Sequence, residues 1–161
     1  HVLSLPAFDS SPGPDPIFFL ETSGREVLLG RELCSYESAA RAHRNRSVWV
    51  LLTSRRLELT PELDQVRSLS NINLRFLNIS AYLEGSILQP WYEASLWMTS
   101  EYSGFHISDA IRLLLLYNHG GLYMDTDVIV LRSLSELRNA IGRQWLLPIL
   151  PLNNAVMTFD K

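Results

Sequence analysis

Short, continuously apolar runs separated by helix-patterned segments constrain this chain most. Ile17-Phe18-Phe19-Leu20 and Val48-Trp49-Val50-Leu51-Leu52 carry no charged residue, so neither shows the alternation of a strand with one wet face. Each reads as a buried strand. Between them, Glu32 to His43 places Leu33, Tyr36, Ala39 and Ala40 at the spacing of one helix face. Ile72 to Ile79 predicts a third strand, with Ile72, Leu74, Phe76 and Asn78 on one face and Leu77 and Ile79 on the other. Leu122-Tyr123-Met124 enters a further strand, which Asp125-Thr126-Asp127 breaks and Val128 to Leu131 resumes. Leu146 to Leu150 and Ala155 to Phe159 read as strands around a turn at Asn153-Asn154. Strands alternating with helices imply an α/β fold on a parallel sheet.

The ends of this pattern differ from its middle. His1 to Pro16 holds four of the eight prolines and predicts an extended, poorly packed stem or linker, leaving 17–161 as the folded part. Glu21-Thr22-Ser23-Gly24 closes the first strand. Pro90 to Ser103, with Trp91, Tyr92, Trp97 and Tyr102, predicts short helices or a loop. Ser108 is a candidate cap for a helix over Asp109 to Asn118, which His119-Gly120-Gly121 stops. The chain begins without Met and ends straight after an apolar run, and we read it as a piece of a longer protein.

Composition removes several kinds of chemistry. The net charge of −3 leaves no basic excess to hold a phosphate backbone, so nucleic acid is not the expected partner. No run reaches the ~18 apolar residues of a membrane span. The single lysine is Lys161, so no phosphate-loop lysine and no interior Schiff-base lysine exist in this stretch. The single cysteine, Cys34, excludes an internal disulfide framework and a cysteine-built zinc site.

The chemistry concentrates in Leu122 to Leu131, where two carboxylates two positions apart interrupt an apolar run. Alternation along a strand sets Asp125 and Asp127 on one side, where they repel unless a cation lies between them. Mg²⁺ and Mn²⁺ favour oxygen ligands and complete their shells with water and substrate phosphate, so this pair suits a metal-bound diphosphate. A solvated turn is the other reading of the same spacing. Upstream, Asp109 and Arg112 stand at i and i+3 on a helix that is nearly apolar all round. They form an ion pair with each other, or Arg112 reaches a diphosphate and Asp109 a sugar hydroxyl. Asp109 and Asp127 lie within nineteen residues, joined by a Gly-Gly turn that permits close backbone approach.

The order S-D-A-I-R, then Y-N-H-G-G-L-Y-M-D-T-D, resembles the donor-binding core of glycosyltransferases with a DXD sugar-binding region. I-F-F-L-E-T-S at Ile17 to Ser23 and C-S-Y-E-S-A-A-R at Cys34 to Arg41 narrow the likeness to the α-1,4-galactosyltransferase and α-1,4-N-acetylglucosaminyltransferase family. The resemblance implies a GT-A, Rossmann-like nucleotide-sugar domain, here the N-terminal part of a longer catalytic domain. It further implies a UDP-sugar donor, Mn²⁺ (or Mg²⁺), retention of anomeric configuration, and a glycolipid or glycan β-galactoside as acceptor. In that picture Asp127 ligates the metal, Asp125 contacts the metal or the ribose, and Asp109 and Arg112 hold the transferred sugar and its phosphates. It also implies a Golgi-lumenal domain attached to the membrane through an upstream segment. No nucleophilic carboxylate is assigned, since beyond Asp127 only Glu136 and Asp160 remain.

Smaller signals each carry two readings. Asn45-Arg46-Ser47 and Asn78-Ile79-Ser80 are N-glycosylation sequons, which fit a secretory compartment. Trp91, Trp97 and Tyr102 form either a sugar-stacking wall or part of the core. His119 reads as a loop or cap residue rather than a ligand, and Arg55-Arg56 as a solvated pair. Cys34 is either a disulfide partner for another segment or a buried free thiol. Two other functions compete. A haloacid-dehalogenase-like phosphatase also uses D-x-D-x-V, but on its first strand and with a later lysine. A non-catalytic fragment or degenerate family member would bind nucleotide sugar or a partner without turnover.

Overall fold

The computed structural model describes residues 1–144 and 151–161, so the strand expected over Leu146 to Leu150 lies outside the described residues. The chain runs β1 (Val2–Ser4), β2 (Ile17–Glu21), α1 (Gly30–Ala42), β3 (Val48–Leu52), β4 (Arg56–Glu58), α2 (Pro61–Arg67) and β5 (Ile72–Phe76). It continues through α3 (Ile79–Leu83), α4 (Gln89–Glu93), a 3₁₀ turn at Leu96–Thr99, α5 (Ser103–His119), β6 (Gly121–Met124), β7 (Ala140–Arg143) and β8 (Leu152–Phe159). The main sheet has the order β5-β3-β2-β6-β8-β7. Its first four members are parallel, and β8 and β7 add antiparallel to that edge.

The apolar runs are continuous because both faces of the sheet are covered. Ile17, Phe19, Val48, Val50, Leu122 and Met124 face α1 and α2, against Leu33, Tyr36, Ala39, Leu63 and Val66. Phe18, Leu20, Trp49, Leu51 and Tyr123 face Ile107, Ile111 and Leu115 of α5. A three-layer α/β domain results. Strand order reverses at β2, which has β3 on one side and β6 on the other, and this opens a crevice at the carboxyl ends of β2 and β6. The Gly pair lets β6 enter beside β2. A Cβ at Gly121, whose φ is +92°, would meet the Pro16 carbonyl oxygen at 2.2 Å.

Several local expectations are corrected. The third strand ends at Phe76, because the Asn78 side chain accepts the Ala81 N–H at 3.3 Å and starts α3. Helix α5 begins at Ser103, so Ser108 is an interior residue rather than a cap. Asn153-Asn154 lies within β8, not in a turn. The leader is docked rather than poorly packed: β1 pairs with β4, and the Phe8 ring meets Trp49 at 5.6 Å. Thr60 caps α2 by accepting the Leu63 N–H, a T-P-E-L start signal that the apolar pattern overshadowed.

Val128 to Leu131 does not resume a strand, because α1 rather than a neighbouring strand meets its backbone. Ser35 Oγ donates to the Val128 carbonyl at 2.5 Å, and the Val130 N–H reaches Ser38 Oγ at 3.0 Å. His43 Nε2 accepts the Leu134 N–H at 2.8 Å, which puts the ring proton on Nδ1, 3.0 Å from the Ala39 carbonyl. Burial lowers the His43 pKa, since it disfavours the charged ring, and Arg46 adds to the shift while the Ala39 bond and Asp15 oppose it. The unfolded chain therefore takes up this proton first as pH falls. His43 contributes stability that is present above its ordinary value of 6.5 and lost below it. Burial lowers His119 in the same direction. Denaturant midpoints measured between pH 7.5 and 5.5 should fall for the wild type and fall less for His43→Gln; equal losses would remove His43 from the account.

Candidate donor-binding site

Asp125 directly follows β6 at the crevice, and its N–H bonds the Ala155 carbonyl of β8 at 2.8 Å. This carries the first carboxylate of D-T-D to the carboxyl edge of the sheet, where the chain turns away through the Val128 N–H to Asp125 carbonyl bond. Arg112 projects from α5 toward the same point. Its Nη1 lies 2.8 Å from Asp125 Oδ1, and its Nε lies 3.5 Å from Asp109 Oδ1. The internal Asp109–Arg112 pair therefore exists, yet the closer partner is Asp125.

Arg112 is only 7% exposed, and its surroundings explain how a charge is tolerated there. Nη2 donates to Ser108 Oγ at 3.0 Å, and Nη1 lies 3.2 Å from both the carbonyl and the side-chain oxygen of Asn154. Asn154 Nδ2 donates in turn to Asp109 Oδ1 at 2.9 Å. The Tyr123 ring lies under the guanidinium, and its hydroxyl donates to Asp125 Oδ1 at 3.0 Å. One fork thus ties α5 to β6 and β8. Burial raises the Tyr123 hydroxyl well beyond its ordinary range, so it stays a donor.

Burial also pushes the Asp125 carboxyl upward. Arg112 and the Tyr123 hydroxyl oppose that shift, while Asp127 and Asp109 reinforce it. Asp127 is exposed beside Asp125. Arg112, Asp125, Thr126 and Asp127 line a cleft of about 440 Å³ whose other wall includes Glu21, Thr22, Ser23 and Arg25. Three arginines, Arg25, Arg31 and Arg112, line the cleft against four carboxylates, Glu21, Glu101, Asp125 and Asp127, so acidic groups still outnumber cations. Among the described residues no group of three or more His, Cys, Asp or Glu side chains gathers at a metal-sized site. Two carboxylates do suit a Mg²⁺ or Mn²⁺ ion whose shell is completed by phosphate oxygens and water. Among the described residues both side-chain contacts to Asp125 fall on Oδ1, leaving Oδ2 for such an ion.

Other candidate residues lie elsewhere. Trp97 stacks on Tyr92 at 5.6 Å and on Trp91 at 6.0 Å, which covers their faces, and Tyr102 packs apart from them against Phe105. The aromatic ring on the cleft is Phe105, which sequence reading passed over. His119 packs between Phe8 and Phe18 at the far end of α5, as a structural residue. Asp160 bonds Asn139 near the amino end of β6, away from the cleft, and Glu136 is exposed. Cys34 is free and exposed rather than buried. Asn154 was missed as a functional residue because an Asn-Asn pair signals a turn; nothing in its local sequence shows the arginine it meets.

Residues 30–146 match the family described as glycosyltransferase sugar-binding region containing DXD motif. The chain belongs to this family. It is 35% identical over 160 residues to mouse lactosylceramide 4-alpha-galactosyltransferase, covering 96% of this chain and 44% of that protein. Human alpha-1,4-N-acetylglucosaminyltransferase is 33% identical over 148 residues, covering 82% of this chain and 43% of that protein. The chain thus spans less than half the length of these curated relatives. Among solved structures, the PaToxG glycosyltransferase superposes with a TM-score of 0.62 at 18% identity, over 90% of this chain and 55% of that one. The fold is GT-A, and family membership removes the phosphatase reading, as does a D-T-D that follows β6 rather than the first strand.

Asn154→Ala leaves Arg112 and Asp109 each short of a partner and should cost about 1–2 kcal/mol of stability. Denaturant unfolding checks this; an unchanged midpoint would mean that Asn154 does not hold the pair.

Proposed function

We propose that this chain is the donor-binding part of a retaining glycosyltransferase that moves galactose, or an N-acetylhexosamine, from a UDP-sugar to a β-galactoside of a glycolipid or glycan, forming an α-1,4 linkage. The observation that carries this reading is the Asp125–Arg112 pair at the switch-point crevice, with Asp127 exposed beside it. The names of the two relatives supply the hexose and the linkage.

In this reading Asp127 and the free Oδ2 of Asp125 hold a divalent metal, Mn²⁺ or Mg²⁺, together with the UDP diphosphate. The metal supplies neutralisation of the charge that develops on the departing diphosphate. Arg112 fixes the Asp125 carboxylate in place and presents its cleft side to the donor oxygens. Asp109, held by Asn154, accepts a hydroxyl of the transferred sugar. Asp109 and Arg112 act from α5, and Arg112 and the Ala155 carbonyl hold Asp125 at the end of β6, so little reorganisation of these three accompanies the reaction.

No helix among the described residues is long and apolar enough to cross a membrane. Residues 1–16 serve, in this proposal, as the stem to an upstream membrane segment, with the domain in the Golgi lumen. The exposed sequon residue Asn45, in the turn after α1, suits that compartment.

Asp127→Asn removes a charge without changing shape and should abolish Mn²⁺-dependent UDP binding while leaving the melting curve in place. Calorimetric titration with and without Mn²⁺ decides it, and equal binding by both proteins in both conditions would refute the metal role. Arg112→Lys keeps the charge but loses the fork. In a full-length protein it should reduce transfer far more than UDP binding; undiminished transfer would end the proposed role of Arg112.

A further inference from the structure

Asp127 is exposed, and among the described residues its carboxylate makes no hydrogen bond or ion pair. Its position is therefore set by the backbone on either side. Thr126 and Asp127 form the corner of a turn that the Val128 N–H closes onto the Asp125 carbonyl at 3.1 Å. On its amino side the turn is anchored twice, by the Asp125 N–H to the Ala155 carbonyl and by Arg112 to the Asp125 carboxylate. On its carboxyl side the anchor comes from α1. Ser35 is fully buried, and its hydroxyl donates to the carbonyl of Val128, the residue directly after Asp127. Ser38 extends the same support, its hydroxyl donating to the Ser35 carbonyl at 2.8 Å and accepting the Val130 N–H. The Val130 side chain belongs to the core cluster that α1 covers, and Val128 packs against it. A serine inside a helix commonly turns its hydroxyl back to a carbonyl of the preceding turn. That of Ser35 is spent instead on a segment ninety-three residues away.

We infer that Ser35 is a positioning residue for the metal carboxylate: by holding the Val128 carbonyl it fixes the far end of the D-T-D turn, and with it the separation of Asp127 from Asp125 that one divalent ion must bridge. This rests on the proposed donor site. Two carboxylates hold one ion well when their separation is set before it arrives, because ordering a loose group on binding costs entropy. Asp125 is held by Arg112 and the Tyr123 hydroxyl, whereas Asp127 has only the turn. Without the Ser35 hydroxyl the Val128 carbonyl loses its helix partner and the carboxyl end of the turn is released. Metal binding weakens although Ser35 touches neither the ion nor UDP.

Calorimetry and hydrogen exchange test this on the 161-residue chain, with S35A set beside V66A. Val66 is a buried core residue of α2 that makes none of these bonds, so its truncation lowers the melting temperature without entering the turn. In Mn²⁺, S35A should bind UDP about tenfold more weakly than the wild type, as loss of a residue that orients a metal ligand commonly does, while metal-free UDP binding stays unchanged. In the metal-free protein, amide exchange at Val128 and Val130 should quicken more in S35A than in V66A. V66A should keep the Mn²⁺ dependence of UDP binding even where it melts lower. Undiminished Mn²⁺-dependent binding in S35A, an equal loss of its metal-free binding, or the same loss in V66A would overturn the inference and leave Ser35 a structural residue. Mn²⁺ dependence that survives S35A defeats this inference alone; a wild type whose UDP binding is indifferent to Mn²⁺ defeats the metal site as well.

Discussion

The buried guanidinium of Arg112 is the constraint on which the site depends. A charge so little exposed must be matched on every side, and its partners come from Ser108 and Asp109 on its own helix, Asp125 after β6 and Asn154 on β8. Meeting that demand fixes α5 relative to two strands. It also fixes the first carboxylate of D-T-D, and the second emerges into the cleft beside it. The electrostatic requirement of one side chain thus sets the geometry of the edge at which we propose the diphosphate binds.

A second set of contacts holds the irregular backbone beyond that edge. Ser35 and Ser38 of α1 and His43, which caps its carboxyl end, bind Val128, Val130 and Leu134, giving this stretch the hydrogen bonds that a neighbouring strand would otherwise supply. The motif C-S-Y-E-S-A-A-R therefore works as a clamp on the segment after D-T-D, while Tyr36 and Ala39 fill the core beneath it. The two halves of the family signature, far apart in sequence, are mechanically joined.

Much of this was legible in the chain. β2 and β3 were marked by their lack of polar residues, and α1 by its apolar spacing, because parallel strands and the helices covering them bury continuous surface. Errors fell where a side chain rather than a pattern decided the outcome. Asn78 capped a helix inside an apolar run, and serines on α1 replaced the expected strand over Val128 to Leu131. β1 and β4 were missed because three-residue strands carry too few positions for a period to show.

The sequence by itself determined the α/β class, the family signature and the four charged residues of the candidate site, since residue type and spacing carry that information locally. Only the tertiary structure decided how those charges pair. Asp109 and Arg112 are helix neighbours in sequence, but the shortest ion pair of Arg112 is to Asp125, across the boundary between α5 and β6. Asn154 joins them from a strand forty-two residues beyond Arg112. Such contacts arise from how the sheet orders its strands, and a linear spacing does not encode them.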